Sequence, residues 1–151
     1  MARIDDFNRA LNYAFLLLKY RARTKKEITN RLKLRKFSTS AIEKVIKLLD
    51  DHGYINDSNF TSMFIKEKIN KGFSKKMVYF HLKRLGVDEE TIKEGIAGIK
   101  GEEYTKCINK LVAKKLKQYS DSDNANHKLF RYLAQRGFTI DEIKEAVDGN
   151  R

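Results

Sequence analysis

Apolar residues recur along this chain three and four positions apart, and the pattern itself recurs on a longer period. Leu32, Leu82 and Leu133 are spaced 50 and 51 residues apart. Four residues before each stands Ile28, Val78 or Leu129. Ten after stands Ile42, Ile92 or Ile143, and fourteen after stands Ile46, Ile96 or Val147. Side chains four apart share one face of an α-helix. The four columns therefore predict two helices joined by the same connector, three times over.

The connector repeats in its chemistry. Six residues after each anchor leucine comes a helix-capping residue: Ser38, Asp88 or Thr139. Each can accept a hydrogen bond from an otherwise unpaired amide of the next helix, worth about 1 kcal/mol. An apolar residue precedes each cap (Phe37, Val87, Phe138), and the column isoleucine follows four positions after it, the spacing of a hydrophobic staple. Thr139 and Glu142 complete a capping box. Gly86 and Gly137 suit the left-handed residue that ends a helix. Lys36 stands at the corresponding place in the first repeat. A lysine in that conformation costs about 1–2 kcal/mol, so a different turn is expected there. Gly98 and Gly149 end the third helices at equal offsets, and the first repeat runs on to Gly53.

Each pair of helices is preceded by another, over 5–22, 57–71 and 101–118. Their acidic starts (Asp5 and Asp6, Asp57, Glu102 and Glu103) complement the helix dipole. Residues 120–126, SDSDNAN, read as a loop. The expected fold is all-α. It has three tandem three-helix repeats, helix-turn-helix-like units over 1–55, 56–99 and 100–151, in an elongated, curved arrangement.

Composition agrees. The 151 residues include no proline, 41% are hydrophobic and 34% are charged. A chain of this length can bury a core. The net charge is +12, and residues 1–50 hold 13 Lys and Arg against 5 acids. That field suits a polyanionic partner, either nucleic acid or an acidic protein groove. The single cysteine, Cys107, excludes an intrachain disulfide and fits a reducing cytosol. The acidic start MARIDDF does not read as a signal peptide, and the run from Ala14 to Leu18 is too short to span a membrane. A cytoplasmic protein is expected.

No catalytic constellation stands out, and no cofactor or metal is called for. His52, His81 and His127 lack ligand-spaced partners and read as surface residues. Cys107, beside Ile108 and Leu111, reads as a buried structural thiol. The strongest functional signal runs from Lys19 to Lys36, where Glu27 is the one acid among Lys19, Arg21, Arg23, Lys25, Lys26, Arg31, Lys33, Arg35 and Lys36. Ile28 and Leu32 must turn inward, so the cations are expected to face out toward phosphates or acidic side chains. A second patch combines Lys66, Lys68, Lys71, Lys75, Lys76, Lys83 and Arg84 with Phe73 and Tyr79, aromatics able to stack bases. Phe60, Phe64 and Phe80 are expected in the core. Lys106, Lys110, Lys114, Lys115 and Lys117 form a third patch on a polar helix face, suited equally to contact or to solvation. The third helices carry Asp88, Glu89, Glu90 and Glu94, and Asp141, Glu142, Glu145 and Asp148. Phosphates would repel both, which disfavours reading of a duplex operator.

With these residues in place, the chain resembles the RecX family of bacterial recombination regulators over nearly its whole length. In the first repeat the resemblance rests on Leu18, Tyr20, Arg21, Arg23, Thr24, Glu27, Ile28, Leu32, Phe37, Ser38, Ile42 and Leu49. It continues through GYIND at 53–57 with Phe60, KGFS at 71–74, Arg131 to Leu133, and RGF at 136–138. Asn56, where the family usually has an acid, and Lys36, where it usually has glycine, are local departures. The resemblance implies the same three-repeat fold and a partner, and the lack of a catalytic constellation leads to the expectation of a non-enzyme. Members bind RecA, lodge in the groove of its filament on single-stranded DNA, and inhibit its ATP hydrolysis, strand exchange and assembly in the control of DNA repair and the SOS response. Some bind single- or double-stranded DNA directly. The contact residues expected here are Arg21, Arg23, Lys25, Lys26, Arg31, Lys71, Lys75 and Lys76, on a monomer. The alternative is a general nucleic-acid-binding helical module with no dedicated protein partner.

Overall fold

The computed structural model describes residues 2–149. Among them are nine α-helices and no strands: α1 (Ala2–Tyr20), α2 (Lys25–Leu34), α3 (Thr39–Asp51), α4 (Asp57–Asn70), α5 (Lys75–Arg84), α6 (Glu89–Ala97), α7 (Gly101–Tyr119), α8 (Ala125–Gln135) and α9 (Ile140–Gly149). They form the three tandem three-helix repeats that the period of the sequence predicts. The loop after α7 is shorter than expected, because Ala125 and Asn126 already belong to α8.

Three of the four repeat columns lie in the core throughout, and in the fourth Val147 is buried while Ile46 and Ile96 are half-buried. Leu32, Leu82 and Leu133 are all buried, as are Ile28, Val78 and Leu129, and Ile42, Ile92 and Ile143. Each such side chain taken out of water contributes about 1.5–3 kcal/mol. The caps form as the sequence requires. Ala41 N–H donates to the Ser38 hydroxyl at 3.1 Å, Thr91 N–H to the Asp88 carboxylate at 2.9 Å, and Glu142 N–H to the Thr139 hydroxyl at 3.2 Å.

The described residues divide into two compact units, one comprising 2–61 with 82–91 and the other 62–81 with 92–149. In the first, α1 packs on α2 and α3 around Ala10, Ala14, Leu17, Leu32, Val45 and Leu49. In the second, α7 packs on α8 and α9 around Val112, Leu129, Leu133, Phe138 and Ile143.

Each unit also contains one joint between neighbouring repeats, built to the same plan. In the first, the Thr24 hydroxyl caps α2 and donates to the carbonyl of Leu85, just past α5, at 2.7 Å. Lys25 N–H donates to the carboxylate of Asp57 at the start of α4, at 3.1 Å. In the second, Ser74 caps α5, its own N–H donates to the carbonyl of Arg136, just past α8, at 2.9 Å, and Lys75 N–H donates to the phenol oxygen of Tyr104, in α7, at 3.1 Å. Thr24 and Ser74 are buried. Each has its buried polar groups satisfied partly by its own helix and partly by a carbonyl of the next repeat.

The joint explains the glycines. Gly86 and Gly137 have φ of 89° and 94°. A β-carbon on Gly86 would meet Lys26 Cβ at 2.4 Å, and one on Gly137 would meet Ser74 Oγ at 2.5 Å and Met77 Cβ at 2.8 Å. Lys36 overturns the expectation of a different turn. It adopts φ 63°, with Lys36 N–H on the Lys33 carbonyl at 2.9 Å and Phe37 N–H on the Leu32 carbonyl at 3.3 Å. The same two bonds close the helices at Gly86 and Gly137. Lys36 is exposed, so its side chain meets no steric obstacle. The two closing hydrogen bonds offset its backbone strain.

Two other expectations change. Phe80 is 52% exposed, because Val78 and Leu82 set the buried face of α5 and a residue two places from each points elsewhere. Phe60 and Phe64 are half-buried. Cys107 is half-buried rather than enclosed, with its thiol 3.8 Å from Asn70 Oδ1.

Candidate functional site

In the first unit, Glu27 organises the basic segment. Its carboxylate accepts Thr24 N–H at 3.2 Å while Glu27 N–H donates to the Thr24 hydroxyl, a reciprocal capping box. The same carboxylate pairs with Arg21 and lies 3.9 Å from an Arg23 guanidinium nitrogen. The Arg23 side chain is only 10% exposed, and its Nε donates to the Leu17 carbonyl at 3.3 Å. Burial lowers its pKa, and the neighbouring Arg21 charge adds to that. Arg23 is thus turned inward, contrary to the expectation of a wholly outward basic face. It fastens the start of α2 to the end of α1.

The remaining cations of this segment differ in freedom. Lys25 pairs with Asp50 at 2.9 Å, with both side chains more than 40% exposed, a surface pair worth at most about 1 kcal/mol. The stem of Lys26 lies against Gly86 while the residue stays exposed. Arg31, Lys33 and Lys36 are exposed on α2 and its end. Arg35 stacks over the Tyr13 ring at 4.5 Å. The outward charge of α2 is therefore carried chiefly by Lys26, Arg31 and Lys33.

In the second unit, Lys71 pairs with Glu67 at 2.9 Å along one face of α4. Lys75 sits 4.4 Å from the Tyr104 ring centre, and Lys76 is exposed. Tyr104 accepts the Lys75 amide and donates to Glu142 at 3.3 Å. Burial pushes its pKa up to about 12. Tyr79 is half-buried and meets Phe80 edge-on, with ring centres 5.5 Å apart. His81 is half-buried against Phe73 at 5.5 Å, whereas His52 and His127 are exposed. Among the described residues no group of three or more His, Cys, Asp or Glu could hold a metal ion, and no helix is long and apolar enough to cross a membrane.

The comparison with known proteins covers all three repeats. Residues 10–49 match the RecX first three-helix domain, 56–96 the second, and 102–147 the third. The chain belongs to the RecX family. It is 32% identical over 140 residues to the "Regulatory protein RecX" of Caldanaerobacter subterraneus, covering 92% of this chain and 69% of that one. It is also 32% identical to the protein of that name from Chlorobium phaeobacteroides, covering 98% and 97%. The Bacillus subtilis relative is 32% identical, and this chain spans 56% of its length. The fold matches a crystal structure of RecX from Lactobacillus salivarius with a TM-score of 0.81 at 23% identity, covering 97% of both chains. A RecX-family regulatory protein is what these matches support. The candidate residues fall within the matched RecX domains: Arg21, Arg23, Lys25, Lys26 and Arg31 in the first, and Lys71, Lys75 and Lys76 in the second.

Proposed function

We propose that this chain regulates recombination in the cytoplasm, without catalysis of its own, by binding RecA and its filament on single-stranded DNA and restraining ATP hydrolysis, strand exchange and assembly. The observation that supports this reading is the set of outward cations of α2, Lys26, Arg31 and Lys33, on a helix whose start is anchored by the Thr24–Glu27 capping box and by Arg23. A helix already formed and anchored has no backbone ordering left to lose on docking. Inhibition requires that the protein bind one filament state better than another.

The test is RecA ATP hydrolysis on single-stranded DNA at physiological salt, with the protein titrated in and free-DNA binding measured in the same buffer. Inhibition at concentrations that leave free DNA unbound supports the reading. The Lys26→Glu, Arg31→Glu double variant should keep its helical content and need about tenfold more protein for half-inhibition, equivalent to about 1.4 kcal/mol. No inhibition by the parent protein, with tight DNA binding, would replace the reading with a nucleic-acid-binding module lacking a dedicated protein partner.

A further inference from the structure

A second basic feature lies wholly within the second unit, and none of the expected contact residues except Lys71 belongs to it. Asn70, Lys71 and Gly72, at the end of α4, face one side of α7 across an open concavity of about 490 Å³. The α7 side is formed by Cys107, Lys110, Leu111, Lys114 and Lys115, a stripe at helical spacing, and Tyr132 of α8 closes one end. Four lysines line this space and no acid does.

The arrangement is built by close backbone approach. Gly72 has φ 92° and is buried, and a β-carbon there would lie 2.8 Å from Leu111 Cδ2. A β-carbon would have to push aside the end of the Leu111 side chain, so glycine at this left-handed turn helps the end of α4 to lie against α7, where Lys71 lines one concavity with Lys110 and Lys114. Arg136 fixes the same corner. Its guanidinium donates to the Lys71 carbonyl at 3.2 Å and lies 4.3 Å from the Phe73 ring centre and 5.1 Å from that of Tyr132. Lys115 sits over Tyr132 at 4.2 Å, with its ammonium 3.1 Å from Gln118 Oε1. Of the groove lysines, Lys115 is held by an aromatic ring and an amide oxygen, and Lys71 pairs with the exposed carboxylate of Glu67. Lys110 and Lys114 are exposed, with no carboxylate partner among the described residues.

Like charges gathered in a concavity repel one another, and they focus the field on whatever enters. An anion neutralising several lysines at once relieves that repulsion. A phosphodiester backbone supplies repeated negative charges without needing the planar fork of arginine, and lysine meets it as a point charge. A flexible single strand can bend into a concavity that a rigid duplex, requiring an inserted helix or ribbon, cannot enter.

We propose that Lys71, Lys110, Lys114 and Lys115 form a binding groove for the sugar-phosphate backbone of single-stranded nucleic acid. The groove is expected to work with no recombinase present, so it stands or falls separately from the filament reading.

The experiment measures binding of a fluorescent oligo-dT to the full chain by anisotropy over a series of salt concentrations. For single strands the slope of log affinity against log salt is about −0.7 per phosphate contact, so Lys110→Ala with Lys114→Ala should flatten it by about 1.4. A control variant, Lys44→Ala with Lys47→Ala on the exposed face of α3, removes the same charge elsewhere and should leave the slope unchanged. An unchanged slope in the groove variant overturns the proposal. So does an equal loss in the control, which would assign binding to net charge alone. Poly-glutamate should compete poorly at equal charge concentration, and efficient displacement would overturn the strand in favour of an acidic protein segment.

Discussion

The hydroxyl of Thr24 donates to the carbonyl of Leu85 at 2.7 Å while accepting the amide of Glu27 at 3.1 Å. One buried oxygen thus caps its own helix and fastens the next repeat to it. Thr24→Val keeps the shape and loses both bonds. The cap is worth about 1 kcal/mol and the orphaned carbonyl at least about 1 more, so urea denaturation should show a loss of about 2 kcal/mol. Thr24→Ser keeps both groups and should stay within about 0.5 kcal/mol of the parent. Equal losses in both variants would mean that the methyl group, not the hydroxyl, holds the joint.

Lys36 and Gly86 share a backbone conformation and should respond in opposite directions to substitution. Lys36→Gly removes a left-handed lysine costing about 1–2 kcal/mol, partly offset by a freer unfolded chain, and should stabilise by about 0.5–1 kcal/mol. Gly86→Ala adds the backbone strain and a contact of 2.2–2.7 Å with the Lys26 stem, and should destabilise by about 2 kcal/mol or more. Denaturant midpoints measured side by side decide it. Loss of stability in Lys36→Gly would show that the lysine side chain contributes more than its backbone costs.

Tyr104 titrates late, at about 12, because burial disfavours its phenolate and the Glu142 carboxylate opposes a second negative charge. A pKa raised in the folded state means the folded protein holds its proton more tightly. The stabilisation is fully present below pH 10, the ordinary tyrosine value, and is lost as pH rises toward 12. Tyr104→Phe removes two hydrogen bonds and should cost about 1–2 kcal/mol at neutral pH. It should also show a shallower decline of stability between these limits than the parent. Parallel alkaline profiles would remove Tyr104 from the account.

Much of this fold was legible because the repeat is written in groups that act locally. A cap needs an oxygen three residues before an amide, and Ser38, Asp88 and Thr139 supply it wherever the rest of the chain lies. The buried columns follow from helical spacing alone. What escaped the sequence depends on neighbours remote along the chain. Arg23 reads as one more cation in a basic run, and only the Leu17 carbonyl and the Glu27 carboxylate draw it inward. Phe80 reads as core because it is large and apolar, yet Val78 and Leu82 already fill that face. Lys71 and Lys110 lie 39 positions apart, and nothing local announces that Gly72 lets their helices close on one another. Lys36 departs for a related reason. The hydrogen bonds of its turn depend on the backbone, which a residue preference expresses only on average.

The two joints are interchangeable in form but not in direction. A small hydroxyl residue at the start of one middle helix meets a glycine and a carbonyl at the end of the next, and the relation does not reverse. If repeats were shuffled, the first could lead an array but could not follow another, since Lys36 would thrust a side chain into the space that Lys26 fills beside Gly86 and that Ser74 and Met77 fill beside Gly137. A few atoms at each turn therefore encode the order in which the repeats can be strung together, a grammar carried by shape and independent of the charge on their surfaces.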